Sequence, residues 1–101
     1  MDLIYLLAEK LPKSEEYNLK SQIIWAAISI ALNIAEGSSR KKKDFGRFLD
    51  ISRGSAHECV AILSISLRQK YVDKPVYDEC KNELIEIVKM LSGLKKSLKI
   101  D

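Results

Sequence analysis

The hydrophobic pattern is densest between Ile23 and Ala35, where eleven of thirteen residues are apolar and only Ser29 and Asn33 interrupt the run. A helix on the surface of a small domain needs an apolar stripe only about 100° wide. This segment is apolar nearly all the way round, so the rest of a 101-residue chain can cover only part of it. We therefore expect a second copy of the chain to cover the remainder. The residues expected in that subunit interface are Ile24, Trp25, Ile28 and Leu32.

Trp25 is the only tryptophan, and two interpretations of it stay open. It is either a core residue or the anchor of the subunit interface, where tryptophan is often the side chain that contributes most to binding. The apolar run around it is shorter than the roughly 20 residues needed to cross a bilayer. The pattern therefore predicts self-association without a membrane partner.

Every long segment of the chain repeats its apolar residues with a helical period, and none alternates over the length of a strand. Four helices are predicted: Asp2 to Leu11, Leu19 to about Glu36, about Lys42 to Lys70, and a last one with Pro75 at its first position. Short connections join them, so neighbouring helices should run antiparallel. The predicted fold is an all-α, up-down-up-down four-helix bundle with a short first helix, and residues 1–101 form one domain.

Three local features are predicted where the helices end or meet. Gly37 is expected to end the second helix as a left-handed C-cap, and Ser39 is a candidate N-cap for the third. A glycine within a helix costs about 1 kcal/mol relative to alanine. Gly54 and Ser55 therefore indicate a point where another helix approaches closely.

Composition and charge narrow the function classes only slightly. Hydrophobic residues make up 47% of the chain, which suffices for a core, and the net charge is only +3. That excess is too small to establish a nucleic-acid partner, so the distribution of the charges matters more. The sequence opens at Met1 and Asp2 without a basic leader, which favours a cytoplasmic protein. In that compartment Cys59 and Cys80 should be reduced core residues.

Three motifs resemble a known family: LPKSEEYNLKSQI from Leu11, NIAEG from Asn33, and DFGRFLDISRGSAHE from Asp44. They are similar to the small helical proteins of the 23S rRNA-intervening-sequence family and to the accessory variability protein of diversity-generating retroelements. The resemblance implies an antiparallel four-helix bundle that forms a ring-like homopentamer. In the retroelement relative, such a ring binds nucleic acid and a reverse transcriptase through basic surfaces, so RNA or DNA and a reverse transcriptase are expected partners by resemblance.

The chain departs from that family at one informative place. Family members usually carry two arginines at the positions of Ile24 and Trp25. The replacement removes two positive charges and adds apolar surface. It weakens the expectation of nucleic-acid binding and strengthens the expectation of a subunit contact.

A basic cluster follows the second helix. Its members are Arg40, Lys41, Lys42, Lys43, Arg47 and Arg53, with Lys95, Lys96 and Lys99 as a secondary patch. Four consecutive cations at a helix start oppose the helix dipole, and phosphate binding is one use for them. If roughly five of them contact phosphates, log affinity should fall with log salt concentration at a slope of about −4. The alternative is a solvated loop whose lysines only aid solubility.

Asn33, Glu36 and Ser55 are polar residues next to apolar helix faces. They are interpreted as structural, with Arg47 or Ser55 as the expected partner of Glu36, because a partly buried carboxylate needs a partner. The alternative makes Asn33 and Glu36 part of a binding site.

No arrangement of residues supports catalysis or a cofactor. His57, Glu58 and Cys59 are consecutive, so on a helix they point to different faces and cannot share a metal ion. No nucleophile has a histidine at a recognised spacing. The leading hypothesis is therefore a non-enzymatic, homo-oligomeric bundle that binds nucleic acid without cofactor or metal. The alternative is an assembly or protein-interaction module without nucleic-acid binding.

Overall fold

The computed structural model describes residues 2–98, with side chains from residue 4 onward. Within that range the chain is all-α with four helices and no strand, which confirms the all-α part of the predicted fold. The four helices are α1 (Asp2–Lys10), α2 (Leu19–Ser38), α3 (Lys42–Arg68) and α4 (Lys74–Ser97), and a short 3-10 turn (Lys13–Glu15) lies between α1 and α2. They form a molecule of 43 × 24 × 18 Å.

The helices contact one another in sequence order around the core. α1 and α3 each pack on both α2 and α4. Between α2 and α3, the Ser55 Oγ donates a hydrogen bond to Ser29 Oγ at 2.9 Å and the Ser52 Oγ donates to the Ile30 carbonyl at 2.9 Å. The numbers rise on one helix while they fall on the other.

The buried face of α3 follows the spacing seen in the sequence. Its members at intervals of four and three residues are all buried: Leu49, Ser52, Ala56, Cys59, Leu63 and Ser66. Such spacing is typical of left-handed, near-parallel helix packing. The small serines and Ala56 let α2 approach closely, and the serine hydroxyls are satisfied by backbone carbonyls.

The short first helix covers only part of the groove between α2 and α4. Its buried residues are Ile4, Leu7 and Ala8, followed by Leu11 just after the helix. Beyond α1, an open apolar cleft continues between α2 and α4. The cleft is lined by Ile30, Ala31, Ile34, Ile87, Met90 and Leu91. The exposed fraction of Met90 is accordingly high, at 69%.

The predictions for the connection between α2 and α3 were wrong. Gly37 lies inside α2, and no described glycine has a positive φ. Gly37 is buried because its α-carbon meets α3: a Cβ there would lie 2.6 Å from the Phe48 Cβ. Ser39 is not the N-cap of α3, since Lys41 holds that position and the Ser39 hydroxyl donates to the Glu36 carbonyl. The glycine therefore permits close packing instead of a left-handed turn.

The left-handed residue lies at the next turn instead. Among the described residues, Lys70 is the non-glycine residue with a positive φ, at 65°. The amide of Tyr71 donates to the Ser66 carbonyl and the amide of Lys70 to the Leu67 carbonyl, which is the hydrogen-bond pattern of a Schellman motif. Asp73 then caps α4 by accepting a hydrogen bond from the Val76 amide, and Pro75 follows at the second helical position.

The prediction of a close helix approach at Gly54 and Ser55 is half right. Ser55 is buried against α2, where it reaches Ser29. Gly54 is exposed, and nothing within the chain lies within 4 Å of the place where its Cβ would be. The chain's own fold therefore gives no packing reason for Gly54.

Candidate assembly and nucleic-acid surfaces

The outward face of α2 is apolar and uncovered. The exposed fraction is 65% for Trp25 and 61% for Leu32, while Ile24 and Ile28 are half-buried. The core interpretation of Trp25 is therefore wrong within a single chain. The reason is that α2 buries Leu19, Ile23, Ala26 and Ile30 against its neighbours, while the described residues leave Trp25 and Leu32 on its other side largely exposed.

The uncovered side of α2 has its own regular spacing. Ser21, Trp25, Ile28, Leu32 and Ala35 recur at intervals of four, three, four and three residues. This spacing matches the seam through which helices pack at shallow angles. None of the five carries a charge, so the seam is suited to a second helical surface.

Helix α3 extends this face with residues that sequence reasoning missed. The contact between Ser29 and Ser55 serves as the reference point on the two helices. Trp25 precedes Ser29 by four residues on α2, and Glu58 follows Ser55 by three residues on α3. In antiparallel helices the two residues therefore lie at nearly the same level along the helix axes. By the same reasoning Leu32 lies level with Ile51, which is 52% exposed. Trp25, Leu32, Ile51 and Glu58 are named here the Trp25 face. The signal available in the sequence was the seven-residue interval between Ile51 and Glu58, which places both on one side of α3.

A second apolar surface lies between α3 and α4. This α3–α4 groove is lined by His57, Val60, Ile85, Val88 and Lys89. Its floor is aliphatic and its rim carries a lysine and a histidine. It was not predicted, because Ile85 and Val88 lie outside the regular three-four spacing of apolar residues in α4, which runs through Cys80, Leu84, Ile87 and Leu91.

The basic cluster divides into free lysines and paired arginines. Lys41, Lys42 and Lys43 are exposed at the start of α3, and no carboxylate among the described residues pairs with them. Their charges lie at a helix N-terminus, where an anion is favoured. They are therefore the members of the cluster best placed to contact a phosphate.

Each arginine of the cluster already has a carboxylate. Arg40 pairs with Glu36, lies over the Phe48 ring at 5.7 Å, and has its pKa raised by that carboxylate. Arg47 lies 3.6 Å from Asp44. Arg53 lies 3.7 Å from Asp50 and has a buried Nε without a hydrogen-bond partner. These arginines are less available to a phosphate than the three lysines.

The secondary patch lies at the same end of the molecule. The Lys95 Nζ contacts the Asp50 Oδ2 at 2.7 Å, which places the end of α4 beside the first half of α3. Lys96 is exposed next to it. Lys99 lies outside the described residues.

The polar residues of α2 have different roles. Asn33 Nδ2 donates to the Ser29 carbonyl and to Ser29 Oγ, and Ser55 joins the same hydroxyl, so these three form a small polar cluster between α2 and α3. Glu36 is exposed and pairs with Arg40, one turn away, so the expected pairing with Arg47 or Ser55 is not the one found. Ser29 was missed as a member because it was treated only as an interruption of the apolar run.

The remaining candidates for chemistry are the two cysteines and the possible metal ligands. Cys59 and Cys80 are buried and free, and burial raises the pKa of the Cys59 thiol to about 12, with a further contribution from the Glu58 carboxylate. Within residues 2–98, His, Cys, Asp and Glu side chains do not gather in any group able to hold a metal ion. In the same range, no helix combines the length and the apolar character needed to cross a membrane.

Comparisons with known proteins agree with the motifs in the sequence. Residues 1–93 match the family described as 23S rRNA-intervening sequence protein. A solved structure of similar fold is a protein of unknown function from the S23 ribosomal protein family of Bacteroides thetaiotaomicron. It is 28% identical, with a TM-score of 0.83 over 92% of this chain and 88% of that one. A search of curated proteins gave no match. The chain belongs to the 23S rRNA-intervening sequence protein family.

Proposed function

We propose that this protein is a non-enzymatic, self-assembling helical bundle that binds RNA or DNA through the lysines between α2 and α3. Its helices would form an antiparallel up-down-up-down bundle. The hydrogen bonds of Ser55 to Ser29 and of Ser52 to the Ile30 carbonyl support that arrangement between α2 and α3. The contact of Lys95 with Asp50, together with a groove that joins residues 57 and 60 to residues 85–89, supports it between α3 and α4.

The exposure of Trp25 is the observation that carries the assembly proposal. Burying a large aromatic side chain removes about 150–250 Å² from water, at about 25 cal/mol for each Å² of apolar surface. Trp25 and Leu32 leave most of that gain unused in a single chain. A homo-oligomer recovers it, and the family resemblance favours five copies.

Assembly would also strengthen a weak basic surface. In any cyclic oligomer, equivalent loops lie at the same height around the axis. Lys41, Lys42 and Lys43 of every copy would thus form one basic ring at a single end. Several weak phosphate contacts on one polyanion increase its affinity without any new contact within a subunit. The net charge of +3 per chain is then sufficient.

Two supporting points concern location and partners. Two buried free cysteines suit a reducing compartment, which favours the cytoplasm. A reverse transcriptase remains a candidate protein partner through the resemblance to the accessory variability protein, and the basic ring is the surface it would share with nucleic acid.

The proposal is tested by measuring mass and nucleic-acid binding on the same sample. We expect light scattering to give several times the 11.5 kDa of one chain. Replacement of Trp25 by arginine should lower that mass while the circular dichroism spectrum stays helical. A wild-type protein that remains a single copy at tens of micromolar would refute the assembly.

Nucleic-acid binding has its own readout. If the three lysines are the contacts, log affinity per subunit should fall with log salt at a slope of about −2 for single strands and nearly −3 for duplex DNA. Replacing Lys41, Lys42 and Lys43 by glutamine should abolish the gel shift at low salt. Arg47→Gln is the matched control, because that arginine is paired with Asp44 and should change binding little. An oligomer that binds neither RNA nor DNA would favour the alternative, an assembly module that recognises a protein.

A further inference from the structure

We infer that copies of this chain join head to tail, with the Trp25 face of one copy seated in the α3–α4 groove of the next. The inference rests on the proposed self-assembly and goes beyond it by naming the two different surfaces that meet. The inference rests on the shapes of the two surfaces, on their charges and on their positions along the helix axes.

The two surfaces differ in shape. The Trp25 face presents large side chains that project from the helices, with Trp25 at 65% and Leu32 at 61% exposure. The α3–α4 groove is a depression between two helices with an aliphatic floor of Val60, Ile85 and Val88. A projecting face can fill such a groove at the packing density of a protein interior.

Their charges are complementary. Glu58, at the level of Trp25, is exposed and has no ion pair with another described residue. Lys89 and His57 lie on the rim of the groove. Docking brings Glu58 of one copy towards Lys89 of the next, while two Trp25 faces placed together would bring two Glu58 carboxylates close to each other. Complementary charges across an interface select the correct pairing and disfavour the wrong one.

The Trp25 face and the α3–α4 groove lie at similar positions along the helix axes. Trp25 lies level with Glu58, and the α3 residues that line the groove are its neighbours His57 and Val60. Copies can therefore dock side by side with little shift along the helix axes. The two surfaces lie on adjacent sides of α3, so each copy is rotated relative to the last. A contact between two different surfaces closes into a ring when the rotation between neighbours divides a full turn and no shift accompanies it.

The test uses two variants that each damage one surface. Trp25→Arg removes the centre of the Trp25 face, and Ile85→Glu places a carboxylate in the groove, where it repels Glu58. Each variant alone should be a single chain by light scattering, because every contact needs one intact copy of each surface. An equimolar mixture should give a 1:1 dimer of about 23 kDa, twice the 11.5 kDa of one chain. It should grow no further, because only one intact face and one intact groove remain in the pair.

Matched controls separate the possible failures. Met90→Glu makes a similar change on the same helix, at an exposed residue of the α2–α4 cleft, and should leave the wild-type mass unchanged. Circular dichroism shows whether each variant is folded. Glu58→Lys should lower the association constant about two- to fivefold, as expected for an exposed pair, and Lys89→Glu in the same chain should restore it.

Each outcome has one meaning. If Trp25→Arg leaves the wild-type mass unchanged, the proposed assembly through α2 is wrong. If Trp25→Arg gives single chains but Ile85→Glu still assembles, or if the mixture contains no 1:1 dimer, only the head-to-tail inference is overturned. Disassembly by Met90→Glu instead of Ile85→Glu would assign the docking site to the α2–α4 cleft.

Discussion

Gly37 and Gly54 form a natural pair for testing how closely α2 and α3 approach. Both lie within helices, and replacing either with alanine improves helix propensity by about 1 kcal/mol. They differ in their surroundings. A Cβ on Gly37 would lie 2.6 Å from the Phe48 Cβ and 2.8 Å from the Phe45 Cδ1, whereas a Cβ on Gly54 meets nothing within 4 Å.

The magnitudes follow from that difference. The Phe48 Cβ is attached to the backbone and cannot rotate away, so Gly37→Ala forces α2 and α3 apart. Overpacking of this kind costs about 1–3 kcal/mol, which exceeds the gain in propensity. We expect Gly37→Ala to lower the free energy of unfolding by about 1 kcal/mol and Gly54→Ala to raise it by about the same amount.

Urea denaturation at a fixed chain concentration measures both variants, since assembly makes stability depend on concentration. The difference of about 2 kcal/mol corresponds to roughly 10 °C in Tm for a domain of this size. The propensity terms cancel in that difference, which isolates the cost of the contact. If Gly37→Ala stabilised the protein as much as Gly54→Ala, the close approach of α2 and α3 would be refuted.

Three further predictions concern single side chains. The pKa of Cys59 is raised to about 12, against 9.0 for a free thiol, so ionisation of this thiol favours the unfolded chain. The free energy of unfolding should therefore be unaffected below pH 9 and fall between pH 9 and 12. In urea titrations, Cys59→Ala should show a shallower decline over that range. Lys70→Gly should raise the free energy of unfolding by about 0.5–1 kcal/mol, because lysine at φ 65° bears a steric cost that glycine avoids; Lys70→Ala, which keeps the Cβ, should show no such gain. Glu36→Gln should leave the midpoint of unfolding unchanged, because the pair with Arg40 is exposed, and should steepen the salt dependence of RNA binding by about one contact as Arg40 becomes free. An unaltered salt slope would show that Arg40 does not reach the phosphates.

The helices could be predicted closely because their signals are local. The helical period of the apolar residues predicted α3 as one long helix, and its predicted start at Lys42 agrees with the structure. Pro75, predicted at the first position of α4, lies at the second position, after Lys74 and the N-cap Asp73. Such features depend on residues within one or two turns of each other, where propensity, capping and periodicity act directly.

The errors share a physical cause. Gly37 was assigned a left-handed turn because glycine after a helix commonly has that role, but its actual role depends on Phe48, eleven residues further on. Glu36 was paired with the wrong partner, because rotations of neighbouring helices decide which charges meet. The α3–α4 groove was missed, since it requires knowing which residues of two separate helices lie side by side.

The sequence by itself determined that the chain is helical, where its helices begin to within one residue, and that α2 carries more apolar surface than one small fold covers. These properties depend on the order of residues along each helix. Only the tertiary structure decided that Trp25 is uncovered, that Lys41–Lys43 have no carboxylate partner among the described residues while the nearby arginines have one, and that a groove between α3 and α4 lies near the level of Trp25. Those properties depend on the rotation and register of packed helices, which are set by many weak contacts between residues far apart in the chain.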